Sequence, residues 1–199
     1  GIGFKEVWEV EDSQHDKGLV LHTTGWPLDN STYGGSFCYH AENNKIYIGY
    51  VVGLDYKNPY LSPYDEFQRF KTHPIIKSLL SGGTRVAYGA RAINEGGIQS
   101  IPKLSFPGGL LIGCSSGFVN VPRIKGSHAA MKSGMLAAEA AFSAIVTGSE
   151  GKDELTAYDE GINSSWIFKE LNAVRNVRPA LSKLGVKLGT IYAGVEMWL

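Results

Sequence analysis

The 199 residues carry 19 basic and 19 acidic side chains, so no net field favours nucleic acid, and no basic run resembles a nucleic-acid tail. Hydrophobic residues make up 43% and charged ones 19%, a balance that excludes a disordered chain and is enough for a real core. Two cysteines, Cys38 and Cys114, cannot by themselves complete a four-thiolate zinc or iron–sulfur site, and the five histidines show no ligand spacing; no metal site is expected within these residues.

Residues 4–10 and 17–24 read as strands joined by a polar turn at Asp12, Ser13 and Gln14. A hairpin is expected over 33–41 and 45–54 around Asn43-Asn44, because KIYIGYVVGL is rich in the β-branched and aromatic residues that suit a pleated surface. After a Pro/Tyr loop, Ser62 as N-cap with Pro63 behind it predicts a helix over 63–72. A second helix over 74–80 should stop at Ser81-Gly82-Gly83. Further strands are expected at 84–93, 101–106 and 109–114, then helices at 126–146 and 152–175, separated by Thr147-Gly148-Ser149. Strands first and long helices last imply an α+β fold beside part of an α/β domain. No run of about 18 apolar residues is present, so no spanning helix is expected. The start lacks an initiator Met and the end lacks a cap, so the chain reads as an internal stretch of a longer protein.

One stretch carries chemistry. In GGLLIGCSSGFVNVPRIKGSHAAMKSG (108–134) an apolar run enters a loop of small residues, Gly113, Cys114, Ser115, Ser116 and Gly117, and a helix opens near Gly126 and Ser127. Small side chains let backbone N–H groups approach a ligand, and the positive end of a helix favours negative charge there, such as the N1–C2=O edge of a reduced flavin. Asn120 can donate and accept nearby. A tight βα connection with alanine packing would give the same pattern. Gly34 and Gly35, between Tyr33 and Phe37, expose backbone against which a flat ring could lie; a bulge or tight turn would also use them. His40 could donate to an oxygen on such a ring, or be an ordinary strand histidine.

GWPLD (25–29), TYGGSF (32–37), GLDYKNPYLSPYDEFQRFK (53–71), GARAINEGG through to AMKSG (89–134) and SSWIFKELNAVRNVRP (164–179) closely resemble the electron transfer flavoprotein–ubiquinone oxidoreductase family, and the likeness covers nearly the whole chain. The resemblance implies an antiparallel-sheet quinone domain over 1–107. It implies the C-terminal part of an FAD-binding α/β domain, of the glutathione-reductase/hydroxybenzoate-hydroxylase type, over 108–150. Residues 151–199 would then form a helix and a membrane-surface hairpin. It places ubiquinone contacts on Gly34 and Gly35, and FAD contacts on Gly113, Cys114, Ser115, Gly117, Asn120, Gly126 and Ser127. Cys114 stands where related flavoproteins often carry an Asp that holds the ribityl chain. A complete member would use FAD, a 4Fe–4S cluster with its cysteines downstream of these residues, and ubiquinone. Electrons would come from electron transfer flavoprotein, by way of the cluster and FAD, at the matrix side of the inner mitochondrial membrane or the cytoplasmic side of a bacterial one. No catalytic acid–base residue is required. LSKLGVKLGTIYAGVEMWL (181–199) maps onto the family's monotopic membrane hairpin: Lys183 and Lys187 could snorkel and Tyr192 and Trp198 suit the interface, while Glu196 argues against deep insertion. The alternatives are another FAD-dependent reductase or monooxygenase of the same superfamily, or a piece inactive when isolated.

Overall fold

The computed structural model describes residues 1–149 and 153–198. It has two compact units: Gly1–Ala92 with Leu184–Lys187, and Ile93–Lys183 with the residues after Lys187.

The first unit is built on five strands, β1 (Ile2–Glu9), β2 (Val20–Thr24), β3 (Gly34–His40), β4 (Lys45–Val52) and β5 (Thr84–Ala92), in the order β2-β3-β4-β1-β5 with every neighbour antiparallel. Asn43 and Asn44 turn the β3–β4 hairpin, both at positive φ, and Lys45 N–H closes the turn onto Glu42 O. Asn tolerates that conformation better than most residues, which is why two adjacent asparagines suffice without glycine. Strand alternation then sorts the side chains. Ile46, Ile48, Tyr50 and Val52 share one fully buried face with Cys38 on β3.

Two short helices cover that face, α1 (Pro63–Phe70) and α2 (Pro74–Leu80), contributing Phe67, Phe70, Ile76 and Leu80 to the core. Each such side chain contributes roughly 1.5–3 kcal/mol by leaving water. Ser62 Oγ accepts the Asp65 N–H at 3.3 Å, and Pro63 occupies the first helical position where its missing donor costs nothing. Ser62→Ala should lower stability by about 1 kcal/mol, read as a shift in the urea midpoint at unchanged slope. The polar turn at Asp12–Gln14 is a 3-10 turn, and Gln14 Nε2 donates to the carbonyls of Ser78 and Ser81 at the end of α2.

In the second unit the expected strands contract. Among the described residues of the expected strands 101–106 and 109–114, only Ser105–Phe106 (β6) and Gly109–Leu110 (β7) pair. Gly108 takes a positive φ between them, and after β7 ends at Leu110, Gly113, also at positive φ, opens a single helical turn, α3 (Gly113–Ser116). α4 (Ser127–Val146) follows as expected. By length and composition α4 could cross a membrane. The sequence hides this because Ser, Lys and Glu interrupt its alanines, so no unbroken apolar run exists. Here Ala129, Ser133 and Ala140 are buried against the unit, while most of the helix, including Met131, Met135, Phe142 and Ile145, is exposed.

The helix expected over 152–175 is two, α5 (Thr156–Ser164) and α6 (Trp166–Ala173); its expected start at 152 lies outside the described residues. Ser165 is extended, and its Oγ accepts the Ile167 N–H, so one serine ends a helix and caps the next. Tyr158, Ile162, Ile167 and Leu171 close a core with Leu104 and Phe118.

The final stretch is helical. In α7 (Val177–Trp198), Gly185 at φ 74° breaks the helix. An unbroken helix would hold residues 176 and 196 about 30 Å apart, yet Asn176 Nδ2 donates to the Glu196 carboxylate. Gly189 packs so closely that a Cβ there would lie 2.7 Å from Leu181 Cα. The chain therefore doubles back at Gly185 as a helical hairpin.

Candidate functional site

Gly34 and Gly35 open β3, facing Val52 and Val51 on β4, and Gly35 also faces Thr24 on β2. A Cβ on Gly34 would lie 2.5 Å from both Leu28 Cδ1 and Val51 O, and one on Gly35 would collide with Thr23 O. The space the sequence reading assigned to a flat ring is, at the Cβ positions, taken by the protein's own atoms. The pair is required first by close strand packing. Thr24 Oγ1 also donates to Gly34 O at 3.3 Å.

Tyr33 is half-buried and its carbonyl accepts the Gly53 N–H. Phe37 lies over Gly49 and stacks on Tyr39 at 5.0 Å. His40 stands six residues from Gly34 along β3, roughly 20 Å away. It is buried, its Nδ1 accepts the Asp16 N–H, and burial holds its pKa below the usual imidazole value. It belongs to the far end of the strand.

The second group gathers where α3 meets α4. Gly113 sits at φ 63°, where a Cβ would come 3.3 Å from Ala130 Cβ, and its N–H donates to the buried Ser133 Oγ at 3.0 Å. Gly117, left-handed at φ 93°, closes the turn onto Cys114 O and Gly113 O. Cys114 is half-buried and Ser115 exposed. α4 begins after Gly126 with no side-chain cap and no acidic residue in its first turn, and Ser127 is exposed there. Its free N–H groups and positive end suit an anionic or electron-rich edge.

Asn120 departs from the expectation of a flavin partner. It is buried, its Nδ2 donates to Glu170 Oε1 at 2.7 Å, its Oδ1 accepts the Arg123 N–H, and its backbone pairs in both directions with Lys125. Its amide is engaged inside the fold. Glu170 gathers the surroundings, also accepting from His128 Nε2 at 2.9 Å, and His128 stacks flat on Trp166. Desolvation pushes the Glu170 carboxyl up, but hydrogen bonds from His128 and Asn120 outweigh it and hold the pKa low. Glu170, 50 residues from Asn120, and Ser133 escape sequence reasoning because no local spacing announces either. Asn120→Ala would strand the 120–125 turn and leave Glu170 short of a donor, a loss of about 2 kcal/mol checked by equilibrium denaturation.

Neither cysteine approaches a metal set: among the described residues no three His, Cys, Asp or Glu side chains converge. Cys38 is buried, which raises its thiol pKa to about 11. In the arm after Gly185, Leu188, Ile191, Val195 and Trp198 are exposed at helical spacing with Tyr192 beside them, while Glu196 turns inward to Asn176. The charge that argued against the membrane is thus withdrawn from this apolar stripe.

Residues 1–93 match the family model described as ETF-QO, ubiquinone-binding. The chain is 56% identical over its full length to the mitochondrial electron transfer flavoprotein-ubiquinone oxidoreductase of Rattus norvegicus, covering 33% of that protein. It is 53% identical to the Dictyostelium discoideum mitochondrial protein of the same name, covering 35% of it. Over 93% of its length it is 55% identical to the Pseudomonas aeruginosa protein, covering 34%. Among solved structures, a triple mutant of the flavin-dependent brominase Bmp2 matches 99% of the chain and 49% of its own with a TM-score of 0.58 at 17% identity, a likeness of fold. The chain spans about a third of the curated relatives it matches, and along its length it is similar to proteins named electron transfer flavoprotein-ubiquinone oxidoreductase.

Proposed function

We propose that the complete protein moves electrons from reduced electron transfer flavoprotein to ubiquinone, which leaves as ubiquinol after gaining two electrons and two protons. The observation that carries the reading is the match of residues 1–93 to a ubiquinone-binding family model, joined to 53–56% identity with named oxidoreductases across the chain. The first unit holds the quinone, with the ring near the Gly34–Gly35 end of β3. The second unit supplies part of an FAD site of the glutathione-reductase/hydroxybenzoate-hydroxylase type, a reading supported by the fold likeness to a flavin-dependent enzyme.

Gly113, Cys114, Ser115, Gly117, Gly126 and Ser127 would hold FAD at the uncapped start of α4, and Asn120 would keep the 120–125 turn in place behind them. FAD and a 4Fe–4S cluster, the latter held outside this chain, supply one-electron chemistry when bound. The chain's own residues position and exclude water. The exposed face of the helical hairpin lies on the membrane, with Lys183 and Lys187 at the head groups, at the inner mitochondrial or bacterial cytoplasmic membrane.

A photoreactive ubiquinone analogue tests the quinone site in the complete protein: labelling should fall on peptides spanning 20–37, and labelling confined elsewhere would remove the site from β3. The purified 199-residue chain should fail to retain FAD on gel filtration, since half the site lies elsewhere; stoichiometric yellow protein would show the site to be complete within these residues.

A further inference from the structure

We propose that the groove between α1 and β5 binds an amphipathic carboxylate, an apolar body ending in a single anionic group, with Arg85 as the anchor. The groove, open to solvent on one side, has a volume of about 410 Å³ and is lined by Phe4, Glu6, Tyr64, Phe67, Arg85 and Tyr88 with the backbone of β1 and β5. That is within the size range of small-ligand sites, which join apolar walls to a few convergent polar groups. Phe4 and Phe67 stack at 6.5 Å and Tyr64 meets Phe4 edge-on at 5.8 Å, so the walls are held by one another rather than free to collapse inward.

The charge count selects the ligand. Glu6 is 3% exposed and its carboxylate is saturated: Lys71 Nζ donates to both oxygens at 3.0 and 2.8 Å, Trp8 Nε1 to one at 2.8 Å and Arg85 Nη1 to the other at 3.2 Å. One anion thus faces two cations, and Lys71, itself bidentate, already neutralises it. Arg85 spends one of its five donors there, is 43% exposed and lies over the Tyr88 ring at 5.1 Å. Its remaining N–H groups are a fixed fork of the kind that takes a carboxylate bidentately.

The other charged groups on these elements do not cancel it. Lys5 turns to the opposite face over Tyr47, and Glu66 of α1 is held bidentately by Arg69. The excess cation in an aromatic groove calls for an anion with an apolar body. The groove differs from the proposed quinone position: in the sheet, β4 stands between β3 and β1.

Titration calorimetry of the 199-residue chain with dodecanoate and dodecanol below their aggregation limits tests this. Dodecanoate should bind saturably at one site. Dodecanol should bind at least about tenfold more weakly, and Arg85→Gln should weaken dodecanoate by about the same factor. Arg91→Gln, on the same strand but paired with Gly3 on the other face, should leave binding unchanged. Should Arg85→Gln perturb folding by circular dichroism, Tyr88→Ser, at a side chain 79% exposed, must show the loss instead. Equal affinity for the alcohol, an equal loss in Arg91→Gln, or no saturable binding overturns the proposal. Displacement of dodecanoate by a short-chain ubiquinone analogue would also overturn it, by giving the groove to the quinone.

Discussion

Gly34→Val is expected to lower the stability of the chain by about 3 kcal/mol, the upper range for forced overpacking, and its melting temperature by about 10 °C. The side chain would need the space held by Leu28 Cδ1 and the Val51 carbonyl, and a backbone oxygen in a paired central strand cannot withdraw. Gly35→Val meets the Thr23 carbonyl in the same way. In the complete protein both substitutions should therefore reduce quinone turnover together with the amount of folded enzyme. Thermal melting followed by circular dichroism, run beside quinone reduction, separates the cases. Unchanged melting with abolished quinone reduction would mean that the glycines serve the ligand and not the sheet. Because packing alone demands glycine here, substitution cannot by itself identify a quinone contact, and labelling is the sharper assay.

Glu6→Gln should cost about 3 kcal/mol near neutral pH, because it removes the charge that compensates Lys71, whose side chain is only 15% exposed. Desolvation pushes the Glu6 carboxyl up, but hydrogen bonds from Lys71 and Trp8, with the Lys71 charge and Arg85, bring it below its ordinary value of 4.5. A carboxylate depressed in the folded state contributes stability that is fully present above the unfolded value and is lost as pH falls through the folded one. The gap between wild type and Glu6→Gln should accordingly be constant from pH 7 to about 5 and shrink below 4.5. Urea denaturation at stepped pH measures it; a gap that stays constant down to pH 3 would show that Glu6 is not held as an anion by these partners. His40 acts in the same sense: burial depresses its pKa, the unfolded chain is the better proton acceptor, and stability again falls as pH drops below about 6.5.

Much of the first unit was legible from residue order because its signals are local. Alternation in KIYIGYVV places Ile46, Ile48, Tyr50 and Val52 on one face, Asn43-Asn44 turns the hairpin, and Ser62-Pro63 starts α1, each within a few residues of its effect. The second unit was harder to read where one residue ends an element. The strand expected over 109–114 ends at Leu110 and Gly113 at positive φ opens a helical turn within it, and Ser165 divides the helix expected over 152–175, because backbone conformation and caps weigh more than apolar periodicity at such points. The compact units divide at Ala92, whereas the sequence reading placed its boundary at 107; residues 93–107 pack through Ile98, Ile101 and Leu104 onto helices that come later in the chain.

The amino-acid order alone carried the family likeness, the α+β class with its antiparallel sheet, and most of the element sequence, because long unusual strings and short-range patterns survive without coordinates. The tertiary structure decided what each small or polar residue is for. It seats neighbours in the space above Gly34 and Gly35, binds Asn120 to Glu170 instead of leaving it open, folds the terminal helix back at Gly185 so that Glu196 finds Asn176, and sets two cations on Glu6. Most of these depend on atoms brought together from distant parts of the chain, and a linear pattern carries no information about which distant side chain will arrive.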